Sequence, residues 1–371
     1  MPGFFFLLII ALYILACVYL GRRITKLMPT RLTKAIAIIC VVVLSTMFFT
    51  QRMIASHVAQ SVNMVLYIVS TMWLIVIMYG VVLFVLFDIA RLIARLRTHT
   101  RRPITRGNIL TILVLLALII TVGIVNAYSP VVTRYTVSLP QYNRTDTLRL
   151  AIVSDLHMGY AVRSGDMQKL CEMVNNEHVD ACLIAGDLFD GEVTPVITND
   201  LGAPLRDIKT TYGTYAVVGN HDYMGDINVA KDYIRSLNMT LLCDSTATFD
   251  GVAVVGRNDL SGDRMPFMMS KKKLLSDFVQ KTDTMPMIVI DHQPARIDES
   301  VSCGADIHIS GHTHAGQVWP MRMITKMVFD LDYGYRQYTN THAIVTSGFG
   351  TWGPRMRLGN SPEIVILTVT F

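Results

Sequence analysis

"LRLAIVSDLH", residues 148–157, is an apolar run that ends abruptly in an acid and an imidazole. Leu150 to Val153 are consecutive apolar residues, two of them β-branched, and a run of this length without alternation reads as a strand buried on both faces. The same design recurs in "DACLIAGD" (180–187), "TYAVVGNHD" (214–222), "MPMIVIDH" (285–292) and "DIHISGH" (306–312). Segments 163–177, 228–237 and 271–281 between them have helical character, and "AIVTSG" (343–348) and "EIVILTVTF" (363–371) add strands. The expectation is an α/β domain over 148–371 whose sheet directs its loops to one edge.

Ligands of open sheets collect at the carboxyl ends of strands, and this sequence places its polar residues there. In chain order the ends give Asp155 and His157, Asp187, the run Gly219-Asn220-His221-Asp222, Asp291 and His292, then "GHTHAGQ" (311–317) with His312 and His314. Carboxylates, imidazoles and an amide oxygen are the donors that borderline divalent metals take, and they are numerous enough for two ions. Alternate residues of an extended segment share a face, so H-x-H is a natural clamp, and Gly311 and Gly316 allow the turn around it. Cys171, His178, His308 and His342 have no such company and read as packing or surface residues.

Residues 1–127 are of another kind. They hold 12 Lys and Arg against one acid, Asp88, a net +11, whereas 128–371 carry a net −6. The overall +5 therefore comes from basic loops flanking apolar runs, which excludes a nucleic-acid footprint. Four such runs, 4–20, 35–50, 62–87 and 109–127, approach the ~20 residues that cross a bilayer, and 128–147 read as a connecting segment. Arg22, Arg23, Lys26, Arg31 and Lys34 fall between the first two runs, and Arg91, Arg95, Arg97, Arg101, Arg102 and Arg106 between the last two. With these loops cytoplasmic, the N-terminus and everything after residue 127 face the other side. Six cysteines, two of them in the apolar runs, show no metal-type spacing and read as small hydrophobes rather than a disulfide framework.

The ordered blocks D-x-H, G-D-x-x-D, G-N-H-D, a lone His and G-H-x-H, spread over 148–371, resemble the calcineurin-like metallophosphoesterases. That resemblance implies a two-layer β-sandwich flanked by helices with a two-metal centre at its loop edge. It implies one ion held by Asp155, His157 and His314, a second by Asn220, His292 and His312, and Asp187 bridging them. Manganese is the first expectation for both ions, with iron and zinc also suited to the donors. His221, oriented by Asp222, matches the family's non-ligand His-Asp pair. The implied activity is hydrolysis of a phosphoester by hydroxide activated between the two metals, with His221 protonating the leaving oxygen. Asp291 stands where relatives often carry Ser.

The apolar start and the ending "SGFGTWGPRMRLGNSPEIVILTV" (347–369) look like a membrane-anchored bacterial subgroup of these enzymes. Arg355 and Arg357 in that ending are candidates to grip the substrate phosphate bidentately. "RMPFMMSKKK" (264–273) and "PMRMITKMVF" (320–329) read as core by composition; exposed, they would rest on lipid headgroups or accept acyl chains. The expected protein is thus an integral protein of the bacterial cytoplasmic membrane with an extracytoplasmic hydrolase domain acting on a phospholipid or lipid-linked phosphate. The alternatives are a cytoplasm-facing pyrophosphatase of the UDP-2,3-diacylglucosamine type and a non-catalytic membrane receptor on the same fold.

Overall fold

The computed structural model describes residues 2–100, 103–142, 144–264, 274–279 and 284–371. The chain forms two units, 1–123 and 124–371. Of the expected helix 271–281, residues 274–279 are described and hold a short 3-10 turn, Leu275–Asp277; its remaining residues and most of "RMPFMMSKKK" lie outside the described residues.

The first unit is built on four helices, α1 (Pro2–Thr25), α2 (Arg31–Ile54), α3 (Gln60–Thr98) and α4 (Arg106–Ala127), the last turn of α4 belonging to the second unit. All four are long and apolar enough to cross a membrane. The 35–50 run grows to a 24-residue helix because Thr30 caps it, its hydroxyl accepting the Thr33 amide at 3.2 Å. The 62–87 run likewise grows to 39 residues, about 58 Å at 1.5 Å per residue, roughly twice a hydrocarbon core. The extension carries Arg91, Arg95 and Arg97, and His99, left-handed at φ 55°, ends it. Asp88 is held by the Tyr19 hydroxyl (2.7 Å) and by an ion pair with Arg23, so the one acid of this region is paired.

The second unit contains two six-stranded sheets. The first runs β1 (Val131–Ser138), β12 (Glu363–Thr370), β2 (Thr147–Val153), β3 (Ala181–Ala185), β4 (Thr214–Val217), β5 (Met239–Leu241). The second runs β10 (Gly334–Tyr338), β11 (Thr341–Val345), β9 (Ile307–Ser310), β8 (Met287–Ile290), β7 (Val252–Gly256), β6 (Ser245–Phe249). Strands β2 to β5 are mutually parallel, as are β7, β8, β9 and β11, so the loops that follow them emerge together.

Residues 128–147 are more than the expected connector. Val131 to Ser138 pair in parallel with β12 along its whole length, and the β-branched residues of "VVTRYTVS" suit a half-buried edge. Hydrophobic faces of both sheets meet in one core, where Leu150, Ile152, Leu183, Val254, Ile288 and Ile309 are buried. Full burial of each such side chain contributes about 1.5–3 kcal/mol. The outer face of the first sheet is covered by α5 (Ser164–Asn176), α6 (Thr194–Thr198) and α7 (Ile227–Ser236), through Met167, Leu170, Val196 and Ile234. The short helices α8 (Ile297–Ser302) and α9 (Arg322–Val328) follow β8 and β9. Packing thus fixes the two sheets face to face and leaves the loops after β2, β3, β4, β8, β9 and β11 to converge.

Candidate metal centre

Among the described residues, three groups each bring their ligand atoms within 4.8 Å of one another: Asp155, His157 and His314; Asp187, His292 and His312; and His157, Asp187 and His221. Asp187 joins the first two, its Oδ2 lying 3.7 Å from His157 Nε2 and 3.2 Å from His292 Nε2. Asn220 brings its Oδ1 to 3.1 Å from His292 Nε2. The His157 and His314 Nε2 atoms face each other at 3.0 Å, both pointing at the Asp155 carboxylate. All seven residues expected as ligands therefore lie in one cleft, four from the first sheet and three from the second.

The local backbone that presents them is unusual. Asp155, His157, Asp187, His312 and His314 all have positive φ, between 48° and 72°, a conformation that residues with a Cβ adopt only where their surroundings impose it. Hydrogen bonds impose it here. The Asp155 amide donates to Gly186 O (3.0 Å), His157 N–H to Asp187 O (3.0 Å), and His312 N–H to the Asp155 carboxylate (3.0 Å). Gly311 serves a closer purpose than the expected turn: a Cβ there would lie 1.6 Å from Ser154 Oγ and 2.4 Å from Asp155 Oδ2. Only glycine lets the loop after β9 approach the loop after β2.

Divalent cations need deprotonated donors, and three of the four imidazoles in the ligand set are held toward their neutral form, whereas the Asp187 carboxylate raises His292 above its ordinary range against the effect of burial. Burial pushes the His157 and His312 imidazoles down to about 4, and burial together with the Arg357 guanidinium holds His314 well below its ordinary range. Burial would raise Asp187, but the charge and hydrogen bond of His292 outweigh it and hold the carboxyl far below the usual range. His292 Nδ1 donates to the Ala185 carbonyl at 2.8 Å, which leaves Nε2 turned to the cluster. Clustered carboxylates and imidazoles, largely buried, fit a pair of borderline divalent ions on chemistry alone.

Three expectations are corrected. Asp222 does not orient His221: it is fully buried and accepts the amides of Phe189 (3.0 Å) and Gly219 (2.7 Å), tying the loop after β3 to that after β4. The acid at the His221 ring is Asp190, whose Oδ1 lies 3.6 Å from both His221 Nδ1 and His157 Nδ1. Its signal was the second acid of "GDLFD" (186–190). Neither arginine is presented as a phosphate clamp. Arg355 is paired with Asp166 (2.7 Å) and stacked over Tyr128 (3.9 Å). Arg357 is fully buried and donates to the carbonyls of Ser347 (2.8 Å), Gly348 (3.1 Å) and Gly350 (2.6 Å), with His314 Nδ1 at 3.1 Å. Its length and five donors let one side chain gather a loop that has no regular structure. Asp291 points away from the cluster into a bidentate pair with Arg296, 2.7 Å for each bond.

Comparison with known proteins places this geometry. The family model for calcineurin-like phosphoesterases matches residues 148–316. An uncharacterized metallophosphoesterase of Campylobacter jejuni is 31% identical over 264 residues, covering 70% of this chain and 69% of its own. The chain belongs to the calcineurin-like metallophosphoesterases. A transmembrane protein with metallophosphoesterase domain from Danio rerio is 29% identical over 311 residues, 77% of this chain and 70% of that one. An uncharacterized metallophosphoesterase of Helicobacter pylori is 32% identical over 223 residues, and the match spans 59% of each chain.

Within this metallophosphoesterase, Asp190→Asn is expected to lower turnover about 10–100-fold, the scale on which carboxylates that contact the far nitrogen of a metal-site imidazole act. Steady-state kinetics with metal analysis checks it: full activity would show that the acid has no hold on His157 or His221.

Proposed function

We propose that the second unit is a two-metal phosphoesterase. Asp155, His157 and His314 would hold one cation, Asn220, His292 and His312 the other, and Asp187 would serve both. The observation that carries this reading is the Asp187 carboxylate between His157 and His292, since a carboxylate offsets the repulsion of two neighbouring cations where an imidazole does not. Two such ions, manganese foremost, supply Lewis acidity that acidifies water and neutralises charge on the phosphoryl oxygens.

The chain's own residues supply the rest. Burial disfavours a charged His221, but its contact with Asp190 and the field of Asp187 outweigh that and raise its pKa above the ordinary imidazole value. It sits next to the cluster, with its ring 4.7 Å from that of His157. A protonated imidazole there is a general acid for the leaving oxygen. Trp352, 6.4 Å from the His221 ring, walls the same side of the cleft.

Membrane-type helices in the same chain support a phospholipid or lipid-linked phosphoester as substrate, and the basic residues between α1 and α2 and between α3 and α4 support an extracytoplasmic hydrolase domain in a bacterial cytoplasmic membrane. An alkaline-phosphatase fusion at the C-terminus tests the orientation, an inactive fusion overturning it. For the activity, the purified full chain is given manganese and bis-p-nitrophenyl phosphate. Metal-dependent hydrolysis is expected; metal-loaded protein without turnover would favour a receptor. His221→Ala should keep its metal yet lose about 100-fold or more on substrates with poor leaving groups, and unchanged turnover would remove His221 from the chemistry.

A further inference from the structure

The stretch "PMRMITKMVF", read as core from its composition, forms α9, none of whose residues is buried. Met323, Ile324, Met327 and Val328 are all more than half exposed, Met327 at 86%, and Trp319 just before the helix is 55% exposed. Five large apolar side chains within ten residues form a contiguous exposed apolar surface, which in a soluble protein marks an interaction site.

The same unit says what lies against it. Ala127 ends the last membrane-type helix, and the turn before it is pinned to the hydrolase domain: Asn126 donates to the carbonyls of Arg357 (3.1 Å) and Asn360 (2.6 Å) and accepts from Ser361 Oγ (3.1 Å). That loop is joined to the start of α9. Trp319 N–H donates to Leu358 O at 2.7 Å, and Val318 bridges Leu358. The apolar surface is therefore two hydrogen-bonded steps from the point where the chain leaves the bilayer. Lys326, exposed on the same helix, adds a charge that suits anionic headgroups. At its far end α9 runs into Phe329, whose ring meets His312 edge-on at 5.8 Å.

We infer that Trp319 and the apolar side chains of α9 enter the headgroup and acyl boundary of the bilayer, holding the rim of the metal cleft against the membrane surface. Aromatic and aliphatic side chains with a flanking lysine are what such a layer accepts. The docking does not depend on turnover; it deepens the proposed function by delivering a phosphoester to the cleft from the plane of the membrane rather than from solution.

The test uses the full chain in phosphatidylcholine and phosphatidylglycerol vesicles whose acyl chains are brominated near the carbonyl end. Emission of the native protein is compared with that of Trp319→Phe, so that the difference reports Trp319 alone. Loss of the Trp319 component in brominated vesicles is expected. The Met323→Asp/Met327→Asp double variant should restore that emission while its metal content and thermal midpoint stay unchanged. A red, unquenched Trp319 signal would overturn docking, as would a blue signal insensitive to bromine, which would mean that protein, such as a second copy of the chain, covers the surface. Absence of phosphoesterase activity with quenching intact would count against the proposed function alone.

Discussion

Asp187→Asn is expected to release both metals and to lower hydrolysis by about 1,000-fold, the upper range for removing one electrostatic contributor at a reacting centre. The carboxylate faces both clusters through one oxygen: Oδ2 lies near both His157 and His292, while Oδ1 accepts the His221 amide at 2.8 Å. An amide of the same shape keeps one carbonyl oxygen but loses the charge that offsets repulsion between two cations. The fold should persist, because the Asp187 side chain is polar in a cleft and not part of the sheet core. Metal analysis with steady-state kinetics checks the outcome, and a variant that keeps two metals and its turnover would remove Asp187 from the centre.

Arg357→Ala is the second large effect expected, and it acts on stability. Removing a buried guanidinium strips the donors from the carbonyls of Ser347 and Gly350 at once, in a region closed to water, and leaves Gly348 O with the Glu363 amide alone. Unsatisfied buried acceptors cost about 1–3 kcal/mol each, and partial relaxation of the loop brings the expected total to about 3–5 kcal/mol. For a unit of this size that lowers the thermal midpoint by about 10 °C. Because the same guanidinium lies against His314 Nδ1, metal affinity should fall with it. Arg357→Lys should recover little, since one ammonium lacks the reach and planar fork of the five guanidinium donors. Thermal scans of the two variants decide the matter: wild-type midpoints would mean the loop holds itself.

The strands that carry the site were legible because each is a short apolar run with a polar end, and burial on both faces leaves no competing pattern. β3, β4, β8 and β9 fall inside the stretches read from the sequence, and β2 begins one residue before its stretch. Edge elements were not legible, since one solvated face dilutes the apolar signal. β1 has an almost wholly half-exposed pattern, and β10 has three exposed residues of five. The hairpin of β6 and β7 left a mark that could have been used: Asp250 and Gly251, both at positive φ, form the Asp-Gly turn that joins strands of opposite direction. Long side chains misled most. Arg355 and Arg357 in a glycine-rich loop looked like anion binders, yet one is consumed by Asp166 and the other by backbone carbonyls, and no sequence pattern separates those fates. Asp222 was mistaken for a catalytic partner for a related reason: adjacency in the chain says nothing about where a carboxylate turns after a strand end.

The two sheets contribute unequal halves of one cage, with Asp155, His157, Asp187 and Asn220 from the first and His292, His312 and His314 from the second. Each of the two proposed ion sites draws ligands from both layers, so divalent cations there would rivet one layer to the other, and their departure would loosen a joint as well as silence a catalyst. Chelation should therefore make the whole sandwich easier to melt, and a mutation that lets the layers slip by an ångström would be felt first as weakened ion retention, long before any strand comes apart.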